Sequence, residues 1–227
     1  MDSYSQSALR FNLLSSEVMS ARAREFCMLL QGRRSVRSFS DRPVSRDLVE
    51  QAILTAGTAP SGAHREPWHF VAVSDPEIKS KIRKAAEKEE RESYERRMSD
   101  EWLAALQPLG TDWQKPFLDV APWLVVCFAK NVGDDGKKNY YVQESCGIAC
   151  GLFIAAIHNL GLVTLTHTPS PMRFLGEILN RPKHERAFIL FPVGYPAENA
   201  MVPNLTRKSK KQLITWEEGQ KNPRAGP

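Results

Sequence analysis

The chain has 227 residues, 42% of them hydrophobic and 25% charged, which is ordinary for one soluble globular domain with appendages. Its formal net charge of +5 fits a small anionic ligand as well as it fits nucleic acid, so charge alone excludes neither. The four cysteines lie in apolar runs without the spacing of a disulfide framework or a zinc site, so we expect reduced thiols and a cytoplasmic protein.

The first predicted helix spans residues 16–31 and ends at Gly32, which presents a basic cluster. The members of this cluster are Arg33, Arg34, Ser35 and Arg37. Each guanidinium is a planar fork of N–H donors that suits phosphate, so the cluster predicts a site for a phosphate monoester. The alternative interpretation is a solvated basic turn.

Small residues fill the loop from Thr58 to His64, which follows a second predicted helix over residues 45–57. Ser45 is the expected N-cap of that helix. Loops of this composition let the backbone approach a ligand closely and leave amide groups free to donate. A short strand is predicted at 69–73, and Asp75-Pro76 has the N-cap and first-position proline of a further helix.

The segment from Lys88 to Pro116 is charged and carries few aliphatic residues, although it contains Tyr94, Trp102 and Trp113. This composition predicts a solvated helical segment that projects from the domain. One interpretation is a plain surface insertion. The other is a lid, because aromatic side chains scattered in polar sequence can close over a ligand.

The second half of the chain contains both strands and helices. Strands are predicted at 121–129, 162–166 and 188–193, and helices at 142–159 and 172–179. The long helix is apolar, and its Gly147 and Gly151 allow another helix to approach closely. We therefore expect it to be packed on all sides, in part across a subunit boundary. Helices and strands mix without regular βαβ units, which indicates an α+β fold with a helix-covered sheet.

Several chemistries and locations are disfavoured. The sequence has no dinucleotide-binding glycine motif, Walker A motif, zinc-protease motif or nucleophile elbow, and its five histidines are scattered, so no metal is expected. The uncharged stretch within 145–172 is interrupted by His158, Asn159 and Gly161, so we expect a buried helix and strand there and no membrane span. Residues 1–5 lack the basic and apolar regions of a signal peptide.

Four motifs stand out along the chain: residues 33–37, 58–68, 161–164 and 192–196. Together they resemble the flavin nitroreductase superfamily and, within it, the iodotyrosine deiodinases. The similarity divides the chain into an N-terminal helical segment, an FMN-binding core that carries the lid, and a C-terminal arm, at residues 1–31, 32–196 and 197–227. The resemblance implies a nitroreductase-like α+β fold with a mixed or antiparallel sheet, in a domain-swapped homodimer.

The resemblance also implies two FMN sites at the subunit interface. The residues that match the family's phosphate ligands are Arg33, Arg34, Ser35, Arg37 and Arg207. Those that would line the flavin from the other side are Pro60, Ser61 and Gly62, and those that would approach its ring are Thr166, His167 and Thr168. Thr168 is the residue implied at the flavin N5 atom, where its hydroxyl would tune the cofactor. At His167 the family pattern has a small hydroxyl residue.

The deiodinases add a substrate clamp to this fold. The matching residues here are Glu90, Tyr94 and Lys115, which in the family hold an amino-acid zwitterion. A carboxylate binds ammonium, whereas an ammonium and a phenol hydroxyl bind carboxylate. Glu90 and Tyr94 are four residues apart and therefore share one helical face. The backbone amide of Ala63 would meet the phenolate of the substrate.

The implied activity is FMN-dependent reductive dehalogenation of a halotyrosine zwitterion, with NAD(P)H or a reductase as electron donor and with neither nucleic acid nor membrane as partner. Two alternatives remain. A general NAD(P)H-dependent nitroreductase or quinone reductase of the same fold would need no zwitterion clamp. A non-enzymatic basic module that binds nucleic acid would be colourless, and its binding would depend strongly on salt.

Overall fold

The computed structural model describes residues 6–217, so residues 1–5 and 218–227, the outer ends of the predicted N-terminal segment and C-terminal arm, lie outside the described part. The α-helices are α1 Ser16–Gln31, α2 Arg46–Gly57, α3 Pro76–Glu92, α4 Asp100–Leu106, α5 Phe117–Val120, α6 Val142–Asn159, α7 Arg173–Ile178 and α8 Lys210–Leu213. The strands are β1 Trp68–Val73, β2 Trp123–Lys130, β3 Val163–Thr164 and β4 Glu185–Gly194. Shorter turns are the 3₁₀ turns Gly62–His64 and Gln107–Leu109 and the π-helical turn Ser93–Arg97.

The four strands form one sheet in the order β1-β2-β4-β3, and each neighbouring pair is antiparallel. The predicted α+β fold is confirmed, and of the two sheet types expected the antiparallel one is found. β3 has only two residues and is shorter than the strand predicted at 162–166. An isolated parallel bridge between Ser35 and Thr164 attaches the basic cluster to this edge of the sheet.

β2 lies at the centre of the core because its interior residues are buried on both faces of the sheet. Val125 and Cys127 pack with α2 and with Phe153 of α6 on one face. Leu124 and Phe128 pack with α3, α5 and α7 on the other. Successive side chains of a strand point to opposite faces, so a strand that is covered on both sides is apolar throughout.

Two helix starts show how far capping residues can be predicted. Asp75 Oδ1 accepts the N–H of Ile78 at 2.8 Å, and Pro76 occupies the first turn of α3, as predicted. Ser45 stands at the N-cap position of α2, but its side chain makes no capping hydrogen bond. The start of α2 therefore depends on packing of its buried apolar face rather than on the predicted cap.

One face of α6 is open to solvent in the single chain. Gly147, Ile148 and Gly151 are exposed, and Ile148 keeps 46% of its accessible surface. The expectation that α6 is packed on all sides is therefore not met within one chain. α1 likewise buries none of its side chains fully. Within residues 6–217, no helix is both long enough and apolar enough to cross a bilayer.

Candidate active site

The basic cluster runs along the β3 edge of the sheet. The backbone N–H of Val36 donates to the carbonyl oxygen of Thr164 at 3.2 Å. Arg207 of the arm folds back onto the cluster, and its guanidinium donates to the carbonyl oxygens of Gln31 at 2.8 Å and Arg33 at 2.7 Å. These segments enclose a cavity of about 350 Å³. All five predicted phosphate ligands line it: Arg33, Arg34, Ser35, Arg37 and Arg207.

The guanidinium groups around this cavity have no anionic partner among residues 6–217. Arg34 uses one nitrogen on the carbonyl oxygens of Gln31 and Arg33, at 2.8 and 3.0 Å. Burial, followed by the positive charges of Arg207 and Arg34, lowers the pKa of Arg33. A dianion would relieve this repulsion between like charges, so the donor set fits the phosphate of a cofactor such as FMN.

Thr166 and Thr168 lie on the exposed side of the same sheet edge, whereas His167 between them is buried. The backbone N–H and carbonyl of His167 pair with Leu190 at 2.9 and 3.0 Å, so this segment is strand-like and its side chains alternate. The structure therefore leaves both threonine side chains accessible near the basic cluster and turns the imidazole away from them.

The His167 ring lies beside Glu90 of the predicted substrate clamp, so any approach of this residue to the flavin ring would be through its backbone. The residue is 5% exposed, its ring meets Phe117 edge-on at 5.9 Å between centroids, and its Nδ1 lies 3.9 Å from Oε1 of Glu90. Its Nε2 has no hydrogen-bond partner in the described part of the chain. Burial, and then the positive charges of Lys115 and Arg37, lower the pKa of His167 to about 3, so the ring is neutral at pH 7.

The three predicted clamp residues come together within the segment from Lys88 to Pro116. Lys115 Nζ lies 3.6 Å from Oε2 of Glu90 and 5.5 Å from the centre of the Tyr94 ring. It also donates to Thr111 Oγ1 at 3.4 Å and to the carbonyl oxygen of Asp112. The Tyr94 hydroxyl donates to the Thr111 carbonyl at 3.2 Å. Residues far apart in sequence thus form one compact polar site, and the segment between them is largely helical, as predicted.

The clamp charges are held largely out of water. Lys115 is only 3% exposed. Burial raises the pKa of Glu90, while the charge of Lys115 opposes that shift. Burial also lowers the pKa of Lys115, against the charges of Glu90 and Asp112. A buried ion pair is poorly solvated, so a ligand that carries both an ammonium and a carboxylate could separate the pair and satisfy each member.

The loop of small residues is strained and firmly held. Ala63, His64 and Glu66 have φ angles of 51°, 52° and 43°, in the left-handed region that costs a non-glycine residue roughly 1–2 kcal/mol. Ser61 Oγ accepts the N–H of Glu66 at 2.9 Å. A Cβ on Gly62 would lie 2.8 Å from the Tyr141 ring, so glycine is required for this close approach. Backbone strain of this kind is typical of functional sites.

This loop has no polar contact with the other predicted site residues in the described part of the chain. Within residues 6–217, no hydrogen bond or ion pair joins Ser61, Gly62 or Ala63 to the basic cluster or to the clamp. Pro60 is exposed beside them. The positive charge of Arg37 acts on Tyr94 and Lys115, so the cluster and the clamp are electrostatically coupled.

Cavity size alone would not locate the site. Two larger clefts, of about 760 and 790 Å³, contain none of the predicted site residues. In the described part of the chain, no group of three or more histidine, cysteine, aspartate or glutamate side chains is arranged to hold a metal ion. What distinguishes the cluster and the clamp is that the cluster has guanidinium groups without an anionic partner among residues 6–217 and the clamp has charges that burial holds out of water.

The sequence model described as the Nitroreductase family matches residues 30–195. An iodotyrosine deiodinase of Haliscomenobacter hydrossis is 61% identical over 202 residues, which cover 87% of this chain and 91% of that protein. The chain belongs to the nitroreductase family and, within it, to the iodotyrosine deiodinases. Human iodotyrosine deiodinase 1 is 47% identical over 203 residues, which cover 86% of this chain and 70% of the human protein.

Solved structures agree with the fold expected of a nitroreductase. A crystal structure of an oxidized iodotyrosine deiodinase bound to FMN and 3-iodo-L-tyrosine superposes with a TM-score of 0.72 at 28% identity, covering 86% of this chain and all of that one (100%). A Bacteroides fragilis nitroreductase with bound FMN gives a TM-score of 0.63 at 22% identity, covering 86% of this chain and 99% of that one. The second likeness concerns the fold alone.

Two residues that contact Lys115 of the predicted clamp were not singled out in the sequence. Asp112 acts through its backbone carbonyl, which carries no residue-type signal. Glu87 Oε1 accepts the backbone N–H of Lys115 at 2.7 Å. Glu87 lies one helical turn before Glu90 on the same face of α3, and this spacing could have identified it from the sequence.

The buried neutral His167 predicts a pH-dependent stability. With a folded pKa of about 3 and an unfolded pKa of about 6.5, only the unfolded chain gains this proton between those values, so stability falls as pH falls. From about pH 7.5 to about pH 5.5, the wild type should lose about 1 kcal/mol more than His167→Asn in urea unfolding. His184→Asn, at an exposed histidine, should behave as wild type. An unchanged pH dependence in His167→Asn would contradict this expectation.

Proposed function

We propose that the chain catalyses FMN-dependent reductive dehalogenation of halotyrosines, converting iodotyrosine to tyrosine and iodide. The observation that carries the proposal is the convergence of Glu90, Tyr94 and Lys115 in one desolvated site near the basic cluster. A generic reductase of small aromatic compounds has no use for such a clamp. The deiodinase relatives and the FMN-bound structural neighbour support the same activity.

The proposed FMN ligands are those of the basic cavity. Arg33, Arg34, Ser35, Arg37 and Arg207 would bind its phosphate. Thr166 and Thr168 would lie along its ring, with the Thr168 hydroxyl near N5. When bound and reduced, FMN supplies the two electrons that, with one proton, replace the carbon–iodine bond by carbon–hydrogen and release iodide.

The proposed clamp binds the backbone end of the substrate. Glu90 accepts hydrogen bonds from the substrate ammonium, whereas Lys115 and Tyr94 donate to its carboxylate. The amide N–H of Ala63 donates to the phenolate oxygen and so orients the ring. The closed lid excludes water from the reacting carbon.

We further propose that a homodimer completes the site. Within residues 6–217, the loop with Pro60, Ser61, Gly62 and Ala63 has no hydrogen bond or ion pair to the cluster or the clamp, and in our proposal a partner subunit supplies it. The exposed faces of α1 and α6 are apolar enough for such an interface. The arm as far as Arg207 lies on its own chain. Any domain-swapped crossing therefore concerns the residues after Arg207, where Trp216 is 66% exposed.

The dimer is testable by sedimentation at low micromolar concentration. We expect twice the mass of the 25.6 kDa chain. Ile148→Glu should shift the protein to monomers and lower its FMN content, because a charge cannot be buried at an apolar interface without a partner. Val120→Glu, at another exposed apolar residue, should leave the dimer intact. A wild-type monomer that keeps its FMN would refute this part.

The activity is testable with purified protein, dithionite as reductant and 3-iodotyrosine as substrate. We expect a yellow protein with one FMN per chain that releases iodide. NAD(P)H or a reductase is the proposed physiological donor, in the cytoplasm, where the four free cysteines would stay reduced. Turnover of nitroaromatics without iodide release would favour a general nitroreductase, and a colourless protein that binds nucleic acid would refute both.

A further inference from the structure

Glu87 makes a hydrogen bond that closes the base of the lid. Its Oε1 accepts the backbone N–H of Lys115 at 2.7 Å, across 28 residues of sequence. Its side chain is 17% exposed. Glu87 and Glu90 stand three residues apart on α3 and so face the same side of the helix. Lys115 therefore contacts one carboxylate through its backbone and the other through its side chain.

An ion network holds Glu87 in place. Arg83 Nε donates to the same Oε1 at 2.8 Å, and Arg83 Nη1 donates to Asp119 Oδ2 at 2.8 Å. The buried Lys79 donates to the carbonyl oxygens of Asp119 at 2.9 Å and Ala121 at 2.8 Å. This network ties α3 to α5, the two elements between which the lid segment leaves and returns.

The charged side chains of this network pair with one another and not with the Lys115 ammonium. Arg83 neutralises Glu87, and only the uncharged backbone N–H of Lys115 reaches that carboxylate. The Lys115 ammonium remains directed at Glu90, 3.6 Å away. A shift of the Lys115 backbone would change the distance between the Lys115 ammonium and the Glu90 carboxylate, because the side chain extends from that backbone.

We propose that Glu87 is a positioning residue for the substrate clamp: by fixing the backbone of Lys115, it holds the Lys115 side chain where its ammonium pairs with Glu90 in the free protein and reaches the carboxylate of an amino-acid zwitterion when one binds. The inference rests on the proposed function, because it gives the clamp its substrate. It separates two tasks in the lid. The base holds the backbone of Lys115, and the segment beyond it is left to open and close.

The test compares two substrates on the same variants. Glu87→Ala should raise KM for 3-iodotyrosine about tenfold, the effect of losing one buried hydrogen bond, with a smaller change in kcat. Reduction of a small nitroaromatic, which has no zwitterion, and FMN content should stay at wild-type levels. Glu87→Gln keeps an acceptor oxygen and should restore KM to within about threefold of wild type. The matched control is Glu92→Ala. Glu92 is the last residue of the same helix, and the substitution removes an exposed ion pair with Arg96.

The possible outcomes separate the two proposals. Wild-type protein without iodide release overturns the proposed function itself. Wild-type release with an unchanged KM in Glu87→Ala overturns the positioning role, and so does an equal loss for both substrates, which is what a merely structural residue would give. Should Glu87→Ala fail to fold, Glu87→Asp keeps the charge but withdraws the acceptor by one methylene. The same selective rise in KM is then expected, and its absence would count against the proposal.

Discussion

Lys115→Ala is expected to lower kcat/KM for 3-iodotyrosine about a hundredfold while FMN content stays unchanged. Lys115 is 3% exposed and lies 3.6 Å from Glu90, so its removal leaves Glu90 unpaired in the free protein and takes the clamp's cationic donor away from the substrate carboxylate in a dry site. Loss of a charged hydrogen bond in such a site costs roughly 2–3 kcal/mol. Glu90→Gln should have an effect of similar size, because it removes the charge that binds the substrate ammonium.

The control for this prediction uses a second substrate and a neighbouring lysine. Reduction of a small nitroaromatic should survive both clamp variants, since that substrate has neither ammonium nor carboxylate. Lys88→Ala, at an exposed lysine on the same lid, should retain both activities. Equal loss of both activities in the clamp variants, or undiminished iodotyrosine turnover, would refute the assignment of the clamp residues. Either result would favour a general nitroreductase.

Arg33→Ala is expected to raise the Kd for FMN about a hundredfold, since a guanidinium that binds phosphate makes two charge-assisted hydrogen bonds. Arg34→Ala should raise the Kd for FMN at least about tenfold. This effect is smaller because one Arg34 nitrogen already donates to two carbonyl oxygens. Fluorescence titration of the apoprotein with FMN measures both constants. Arg96→Ala, at a side chain that is 72% exposed, should bind FMN like wild type. Unchanged affinity in Arg33→Ala would show that the phosphate lies elsewhere.

The parts of the fold that could be predicted are those with a local chemical cause. α1 and α6 match their predicted spans, and α3 begins at the Asp75-Pro76 signal. α5 was missed because four residues are too few for a helical period. The brevity of β3 depends on its pairing with β4, which concerns residues distant in sequence.

In the candidate site, too, the features with a local cause could be predicted and those that depend on distant contacts could not. The basic cluster was visible from composition alone, because three arginines follow one helix end. The meeting of Glu90 with Lys115 was not visible, because the two residues are 25 positions apart in the chain and only the resemblance joined them. The orientation of His167 could not be predicted either, because it depends on its backbone pairing with Leu190.

The most direct test of the proposed chemistry is a single turnover without oxygen. The FMN-loaded protein is reduced by dithionite, freed of excess reductant and mixed with one equivalent of 3-iodotyrosine per flavin. We expect the oxidised flavin spectrum to return as one tyrosine and one iodide form for each flavin, because dehalogenation consumes two electrons. Flavin that stays reduced, with 3-iodotyrosine recovered intact, would contradict the proposal that this chain is a halotyrosine dehalogenase.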